Sequence, residues 1–373
     1  MKPSVFSATS VQEVEAHLGD AFKDGLKPTL AIVFSAVAHD FKGLGAIFAR
    51  HDIDVFGAST NGEILNDGLH EESIVVMLLD IGREFYSLGM FDGKDKSSFQ
   101  VGQNIGEWAK TVYDNPALMV VSGGLHFNGD HIVNAIISAM GRQVPLFGGL
   151  AGDDSKAQET FAFSASQLTS NGVMALVFDG NVIGLQGVAF SGWKAIGTSK
   201  TVTRADGNIV YEIDNQPALD IYMKYLKVPN DPAAAPGLAG EYPLVMNRDD
   251  GSSVLRVALI LNQDKSMVFA GSVPEGAKVR FGMAPGSEII DEAIEQMSEF
   301  NRQNPRSDAL VLFSCKARHM AFGPMIEDEI SAVHKLWDVP MVGFFTYGEI
   351  GPVLHGGCDF HNDTLVPVLI YEK

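Results

Sequence analysis

Residues 309–350 begin ALVLFSCKARHM, continue through an amphipathic stretch, and end DVPMVGFFTYGEI. The same order recurs at 29–64 and 117–154: an apolar strand, an amphipathic stretch expected to be helical, a second apolar strand, and a tight glycine turn ending in an acidic residue. Repetition on this scale predicts a fold that reuses one supersecondary unit. Each copy is followed by one more apolar strand, namely SIVVMLLD (73–80), GVMALVFDG (172–180) and TLVPVLIYE (364–372).

The alternation of strands and helices predicts an α/β to α+β fold, with mixed β-sheets built from repeated β-α-β units. Between the second and third copies the pattern changes to short strands broken by turns, which is typical of antiparallel meanders. Asp179-Gly180 and Asp206-Gly207 are predicted to be hairpin turns within these meanders.

Four helices are predicted outside the copies, from apolar periodicity and from capping residues at their starts. Pro217 is expected in the first turn of the helix at 216–226. They cover residues 11–23 capped by Ser10, 97–114 capped by Ser97 or Ser98, 216–226, and 286–303 capped by Ser287.

The best candidate for a domain boundary is residues 227–243, which carry three prolines and two glycines before Pro243. We predict two lobes divided there, with one domain at 28–226 and the other at 227–370. The N-terminal lobe then contains two copies of the repeat, and the C-terminal lobe contains one.

Bulk composition argues against several classes of protein. A net charge of −19, without a compensating basic stripe, repels phosphate backbones and anionic lipid, so neither nucleic acid nor membrane is an expected partner. The first residues have no long apolar segment, and no stretch approaches the length of a membrane span, so no signal peptide or anchor is predicted. Two cysteines are too few for a disulfide framework, which favours a reducing cytoplasm.

The acidic turns are the first candidate for a site. GASTNGEI (57–64) aligns with GFFTYGEI (343–350), whereas the middle turn is one residue shorter and ends in Asp153 and Asp154. Glycine allows positive φ or a close backbone approach, and the acid is a fixed acceptor for a ligand amine, an arginine or a backbone N–H. An alternative interpretation is structural: Glu63 and Glu349 cap N–H groups within their own turns.

The third copy carries the most chemistry. Arg318 is a candidate partner for Glu349 or for a ligand carboxylate, because a guanidinium donates in two parallel prongs. Cys315 is either a reactive thiol beside a cation or, more commonly, an inert buried one. The candidate ligand-binding residues are therefore Arg318, Glu349, Tyr347, Thr346, Cys315, Glu63, Asn61 and Asp153.

The ten histidines raise a metal or haem hypothesis, although none forms a standard metal motif. His355, Cys358 and His361 are clustered, but they lack a fourth ligand. A haem needs only one axial histidine, and the candidates are His126, His319 and His361. No Gly-x-Ser-x-Gly elbow is present, so we predict no enzyme; a Cys315-dependent enzyme is the remaining catalytic alternative.

The chain contains five distinctive segments: GASTNGEI (57–64), PLFGGLAGDD (145–154), VLFSCKAR (311–318), GFFTYGEIGP (343–352) and HNDTLVPV (361–368). Together they resemble the FIST proteins, which join an N-terminal FIST domain to a FIST-C domain. The resemblance runs from about residue 28 to about residue 370, and its most specific part is 342–352, followed by Cys315 and Arg318.

This resemblance implies a cytoplasmic sensory module that binds a small ligand, such as an amino acid, and feeds signal transduction. No output domain is predicted within this sequence, so we expect it to resemble the stand-alone members, which act through a separate partner such as a histidine kinase. Some stand-alone members are described as haem-binding nitric-oxide sensors, which makes haem the alternative ligand. No family motif assigns the haem to a particular histidine.

Overall fold

The repeated sequence pattern folds into three equivalent units, each in the order β-α-β-α-β, then a short hairpin and a final strand. The computed structural model describes residues 1–66, 68–227, 241–248, 251–284, 286, 288–353 and 356–373. Most of the predicted linker at 227–243, the predicted cap Ser287 and the candidate ligand His355 lie outside the described residues.

Unit 1 and unit 2 occupy the first half of the chain. Unit 1 consists of β1 (Lys2–Ala8), α1 (Val11–Lys23), β2 (Leu30–Ser35), α2 (Phe41–Arg50), β3 (Asp54–Ser59), the hairpin β4 (Glu63–Leu65) and β5 (Gly68–His70), and β6 (Ile74–Asp80). A 3₁₀ turn at Arg83–Phe85 leads into unit 2. Unit 2 consists of β7 (Tyr86–Asp92), α3 (Ser98–Val112), β8 (Pro116–Gly123), α4 (Gly129–Met140), β9 (Leu146–Leu150), the hairpin β10 (Ala162–Phe163) and β11 (Leu168–Thr169), and β12 (Gly172–Asp179).

Unit 3 starts with β13 (Ile183–Gly187), and an additional sheet is inserted before its first helix. This inserted module (residues 194–283) consists of β14 (Lys194–Asp206), β15 (Ile209–Ile213), β16 (Gln216–Pro217), α5 (Ala218–Leu226), β17 (Leu244–Asn247), β18 (Ser253–Arg256), β19 (Ala258–Leu261), β20 (Met267–Phe269) and β21 (Lys278–Met283). Unit 3 then continues with α6 (Glu288–Gln303), β22 (Ala309–Cys315), α7 (Lys316–Phe322), a 3₁₀ turn (Gly323–Met325), α8 (Ile326–Trp337), β23 (Met341–Thr346), the hairpin β24 (Glu349–Pro352) and β25 (Cys358–His361), and β26 (Leu365–Glu372).

Each unit builds its sheet in the same strand order. The two strands that flank the second helical segment of each unit pair in parallel, as β2 does with β3, β8 with β9 and β22 with β23. The final strand of each unit (β6, β12 or β26) lies antiparallel between two others. One neighbour is β2, β8 or β22, and the other is the strand that opens the unit, β1, β7 or β13. The mixed sheets and repeated β-α-β units confirm the predicted fold class.

The short hairpins are exchanged between units. The β4–β5 hairpin of unit 1 pairs with β23 of unit 3, the β24–β25 hairpin of unit 3 pairs with β9 of unit 2, and the β10–β11 hairpin of unit 2 pairs with β3 of unit 1. Each six-stranded sheet is therefore completed by a neighbour, which covers an edge that would otherwise expose unpaired backbone groups. The predicted boundary near 226–227 stays a prediction about domains, and strand pairing crosses it, for example between β13 and β26.

Side-chain alternation along the central strands divides the core into layers. On β2, Ile32 and Phe34 belong to the central cluster shared by all three units, while Ala31 and Val33 pack under α1 and α2. The central cluster also contains inward-facing residues of β8 and β22. The carboxyl ends of the parallel strands consequently lie around a common centre.

The local predictions for helices and turns have mixed outcomes. The helix at 11–23 is confirmed, with Ser10 as its cap, and Ser97 rather than Ser98 caps the next helix. Pro217 lies in the short strand β16 and precedes the helix instead of occupying its first turn. Asp206-Gly207 joins β14 to β15 as predicted, but Asp179-Gly180 does not form a hairpin, because β12 and β13 pair in different sheets.

None of the helices in the described ranges is both long and apolar enough to cross a bilayer.

Candidate ligand pocket

The three acidic turns meet at the carboxyl ends of β3, β9 and β23. The backbone N–H of Asn61 donates to the carbonyl of Phe345 (3.0 Å), and its side-chain Oδ1 accepts the N–H of Asp153 (3.1 Å). The Tyr347 hydroxyl donates to Asp153 Oδ1 (2.5 Å). Three predicted site residues, one from each unit, therefore form one hydrogen-bonded network.

Glu63 and Glu349 occupy equivalent positions and make equivalent bonds. Each carboxylate accepts the hydroxyl of the threonine three residues earlier, and its second oxygen accepts both the hydroxyl and the N–H of the residue before the final strand. The second partner is Ser73 in unit 1 and Thr364 in unit 3. Both carboxyls are fully buried, and burial raises the pKa of each to about 7. These acids therefore do accept N–H groups, as in the structural interpretation, but the N–H groups belong to the start of the final strand and not to the turns themselves.

The two glycines before these acids are required for different reasons. Gly62 has φ of +116°, a backbone conformation that side chains rarely adopt. Gly348 has φ of +158°, and a Cβ there would lie 2.2 Å from the ring of Phe360. The predicted use of glycine for positive φ and close approach is confirmed at these positions.

Asp153 in the shorter turn has a different role from Glu63 and Glu349. Its carboxylate accepts backbone N–H groups from residues 157, 158 and 159 in addition to the Tyr347 hydroxyl. It therefore holds the loop that follows β9 in place, and Ser155 and Ala157 of this loop line a cavity.

Arg318 does not contact Glu349. Its guanidinium forms a two-pronged pair with Glu329, in which Nε lies 2.8 Å from Oε2, and it also donates to the carbonyl of Ser191. Both members of the pair have no exposed side-chain surface, and the guanidinium lies over the ring of Trp193. The interpretation of Arg318 as a partner of Glu349 or as a free carboxylate clamp is therefore wrong, because α8 supplies a buried counter-charge.

Cys315 is the last residue of β22 and is buried. Burial, together with the nearby Glu349 and Asp363 carboxyls, raises the pKa of this thiol well above its usual value. The thiol is therefore protonated at neutral pH, and a protonated thiol is a poor nucleophile.

A cavity of about 240 Å³ lies between unit 3 and the inserted module. Its floor includes Cys315 and Ala317, and one wall is formed by 257–259 and Ala270 of the inserted module. Thr346 and Tyr347 of the third turn, Ser155 and Ala157 of the loop held by Asp153, and Met320 of α7 complete the lining with Asn362 and Lys316. The cavity brings together three predicted site residues, Cys315, Thr346 and Tyr347.

Lys316 and Asn362 are lining residues that the sequence interpretation did not select. Lys316 Nζ donates to the carbonyl of Asn61 and contacts His319 Nδ1, both at 3.1 Å. Burial lowers the pKa of Lys316, and burial beside Lys316 lowers the pKa of His319 to about 4, so His319 is neutral. Asn362 is 1% exposed, and its Nδ2 has no hydrogen-bond partner among the described residues. The available sequence signal was the position of Lys316, directly after Cys315 at a strand end.

The remaining candidates lie outside the cavity lining. Glu63, Glu349 and Arg318 are buried behind it, and Asp153 supports it from below through Tyr347. Asn61 faces a second, polar cavity of about 450 Å³ on the far side of Lys316.

The three haem-ligand candidates do not converge. His126 is on an exposed loop, His319 contacts Lys316, and His361 is buried with Nε2 2.9 Å from the carbonyl of Gly351. None of them lines the 240 Å³ cavity, which lies below the range of about 300–1,000 Å³ typical for drug-sized ligands, and haem is larger still. These residues do not fit a haem site in this structure. Within the described ranges, no group of three His, Cys, Asp or Glu side chains is arranged to hold a metal ion.

Two family models match this chain. Residues 29–216 match the family model of the FIST N domain, and residues 218–352 match that of the FIST C domain. An uncharacterized protein of Methanocaldococcus jannaschii is 26% identical over an alignment of 193 residues, and the match covers 48% of this chain and 37% of that protein. The aligned region thus spans little more than a third of the length of that relative.

Proposed function

This chain belongs to the family of proteins that combine a FIST N domain with a FIST C domain, and from that membership we propose that it is a sensory protein whose cavity beside Cys315 binds a small ligand. FIST domains are associated with sensing in signal transduction and are ligand-binding rather than catalytic. The ligand proposed is an amino acid or another small carboxylate. In this proposal the liganded protein acts on a separate signalling partner, such as a histidine kinase.

The observation that carries the proposal is the composition of the cavity. It combines an apolar wall from the inserted module with polar groups at the carboxyl end of a parallel strand pair, where α/β proteins commonly bind ligands. Its lining includes Thr346 and Tyr347, from the turn that most clearly marks the family in the sequence. A larger groove of about 550 Å³ lies between α1 and α2, but the charged side chains Arg50 and Glu15 within it pair with each other.

Two observations support binding without catalysis. The Cys315 thiol is protonated, and the neighbouring Glu349 carboxyl is already bonded to Thr346 and Thr364. A group whose hydrogen bonds are all made inside the protein is poorly placed to transfer protons to a ligand. We therefore propose that the cavity recognises its ligand and leaves it unchanged.

The test is thermal unfolding of the full chain with a panel of amino acids and small carboxylates. Ala317→Leu fills the cavity from α7, whereas Ala46→Leu adds the same side chain in the groove beside α2 and is the matched control. We expect at least one compound to raise the Tm of the native protein and of the control but not of Ala317→Leu. A panel without any stabilising compound, or equal stabilisation of both variants, would overturn the assignment.

A further inference from the structure

Lys316 is a cation that forms no close ion pair within the described part of the chain, although the carboxylates of Glu71, Asp154 and Glu63 act on it from a longer distance. Of the described residues that line the 240 Å³ cavity, it alone carries a charge. No carboxylate among the described residues lies within 4.0 Å of Nζ, and its two hydrogen-bond partners are the Asn61 carbonyl and the neutral His319 ring. The acids Glu71, Glu72 and Asp154 line the polar cavity on the other side of Lys316 and compensate its charge only in part. Because a half-buried ammonium whose direct partners are neutral is costly, an anion in the 240 Å³ cavity is stabilised.

The cavity offers nothing comparable to a ligand cation. No aspartate or glutamate is among its described lining residues. Glu349 and Asp363, the acids beside Cys315, have no exposed surface, and the oxygens of Glu349 are already bonded to Thr346 and Thr364. The Asp363 oxygens have no partner among the described residues, but burial raises the pKa of this carboxyl well above its usual value, so it is neutral and offers a ligand cation no charge. An ammonium group brought into the cavity would lose its water without gaining a charged partner.

A second donor points to the same ligand chemistry. Asn362 lines the cavity, is 1% exposed, and has an Nδ2 group without a hydrogen-bond partner within the described part of the chain. Buried donors are almost always satisfied, so an acceptor from a ligand is the missing partner. An anionic oxygen suits Asn362 and Lys316 together.

The rest of the lining is apolar and is specific to unit 3. Val257, Leu259 and Met320 offer a surface for a hydrocarbon body. The residues equivalent to Lys316, two positions after the buried serine near the end of the first strand, are Val37 in unit 1 and Gly124 in unit 2. Neither carries a charge, so only the third unit provides this cation.

We propose that the ligand is a small monocarboxylate with an apolar body and no ammonium group, bound by Lys316 and Asn362. This inference rests on the proposed function and narrows its ligand class. It separates simple aliphatic acids and 2-oxo acids from amino acids of the same carbon skeleton.

The experiment is calorimetric titration of the full chain with three matched compounds. 4-Methylpentanoate has the carboxylate alone, leucine adds the ammonium group, and 4-methylpentanamide removes the charge. We expect 4-methylpentanoate to bind at least about tenfold more tightly than either of the others, the scale set by one uncompensated charge. Lys316→Met is expected to lose this preference, Lys316→Arg to retain part of it, and Lys156→Met, which changes a lysine of the neighbouring polar cavity, to leave it intact.

The outcomes separate this inference from the proposed function. Leucine binding as tightly as 4-methylpentanoate would overturn the inference and leave a ligand-binding cavity in place. Undiminished binding to Lys316→Met would overturn the role of Lys316. If none of these compounds and none of the wider panel binds the native protein, both the inference and the proposed function fail. Circular dichroism of each variant confirms that a lost signal is not a lost fold.

Discussion

Arg318 and Glu329 form a fully buried, two-pronged ion pair, in which Arg318 Nε lies 2.8 Å from Glu329 Oε2. The pair joins α7 to α8, and a further guanidinium N–H reaches the Ser191 carbonyl beside the inserted module. Removing one member leaves a buried charge unpaired, which typically costs about 3–5 kcal/mol. Arg318 is thus a structural residue beneath the cavity.

Arg318→Ala is therefore expected to lower the free energy of unfolding by about 3–5 kcal/mol. The exposed pair of Arg50 and Glu15 provides the control, because Arg50→Ala should cost about 1 kcal/mol or less. Urea denaturation measures both. Equal costs for the two substitutions would contradict the buried pair, and so would a double variant with Glu329→Ala whose cost is the sum of the two single ones.

Stability should fall as the pH rises from about 4.5 to about 7. The pKa values of Glu63 and Glu349 are raised by burial from 4.5 to about 7, so between these values the folded chain binds more protons than the unfolded one. The contribution of each carboxyl is full below pH 4.5 and is lost as the pH passes 7, on the order of 3 kcal/mol per group.

Glu63→Gln and Glu349→Gln isolate this effect, because an amide keeps the shape of the neutral carboxyl. Each variant should show a flatter loss of stability between pH 5 and pH 8 than the native chain, measured by urea denaturation at both pH values. Glu107→Gln, which changes an exposed carboxyl, is the control. A native-like slope in both variants would show that the two carboxyls do not titrate in this window.

Gly348→Ala should destabilise the chain more than backbone strain at positive φ alone explains. A Cβ at Gly348 would lie 2.2 Å from the Phe360 ring, whereas a Cβ at Gly141, where φ is +69°, would meet no atom within 4 Å. We expect about 1 kcal/mol for Gly141→Ala and about 1–3 kcal/mol more for Gly348→Ala. Matching Tm values for the two variants would refute the close approach.

Cys315 should resist alkylation in the folded chain. Its thiol is buried and protonated, because burial and the neighbouring carboxyls raise its pKa well above the usual value. Iodoacetamide at neutral pH should leave Cys315 unmodified in mass spectra of the native protein and modify it in urea. The variant Cys358→Ser removes the other thiol, so that any modification can be assigned to Cys315. Rapid modification of Cys315 in the folded protein would contradict a protonated thiol and would favour a cysteine-dependent enzyme.

Sequence repetition was sufficient to predict the order of strands and helices within each unit. The copies at 29–64, 117–154 and 309–350 indicated the parallel strand pairs, the helices between them and the final strands that follow. The alignment of Glu63 with Glu349 corresponds to equivalent bonding in the structure, because the shared turn geometry brings an equivalent threonine and an equivalent strand start within reach of each acid.

Strand partners could not be predicted in the same way. Asp179-Gly180 has the composition of a hairpin turn, but β12 and β13 each pair with strands from elsewhere in the chain. Local sequence patterns also give no indication that the short hairpins are exchanged between units. Periodicity reports which face of a strand is buried, whereas the choice of partner depends on which free edges the folded units bring together.

What the sequence determined by itself is the repeated unit, its glycine–acid turns and the family to which the chain belongs. What only the tertiary structure decided is the environment of each charge. Glu72 and Asp363 are equivalent and share φ of +53°, but Glu72 is exposed while Asp363 is buried, with its carbonyl bonded to Ser191 beside the inserted module. In the same way Arg318 acquired a buried partner and Lys316 did not. The effect of a charge depends on its neighbours and on its exposure to water, and packing sets both.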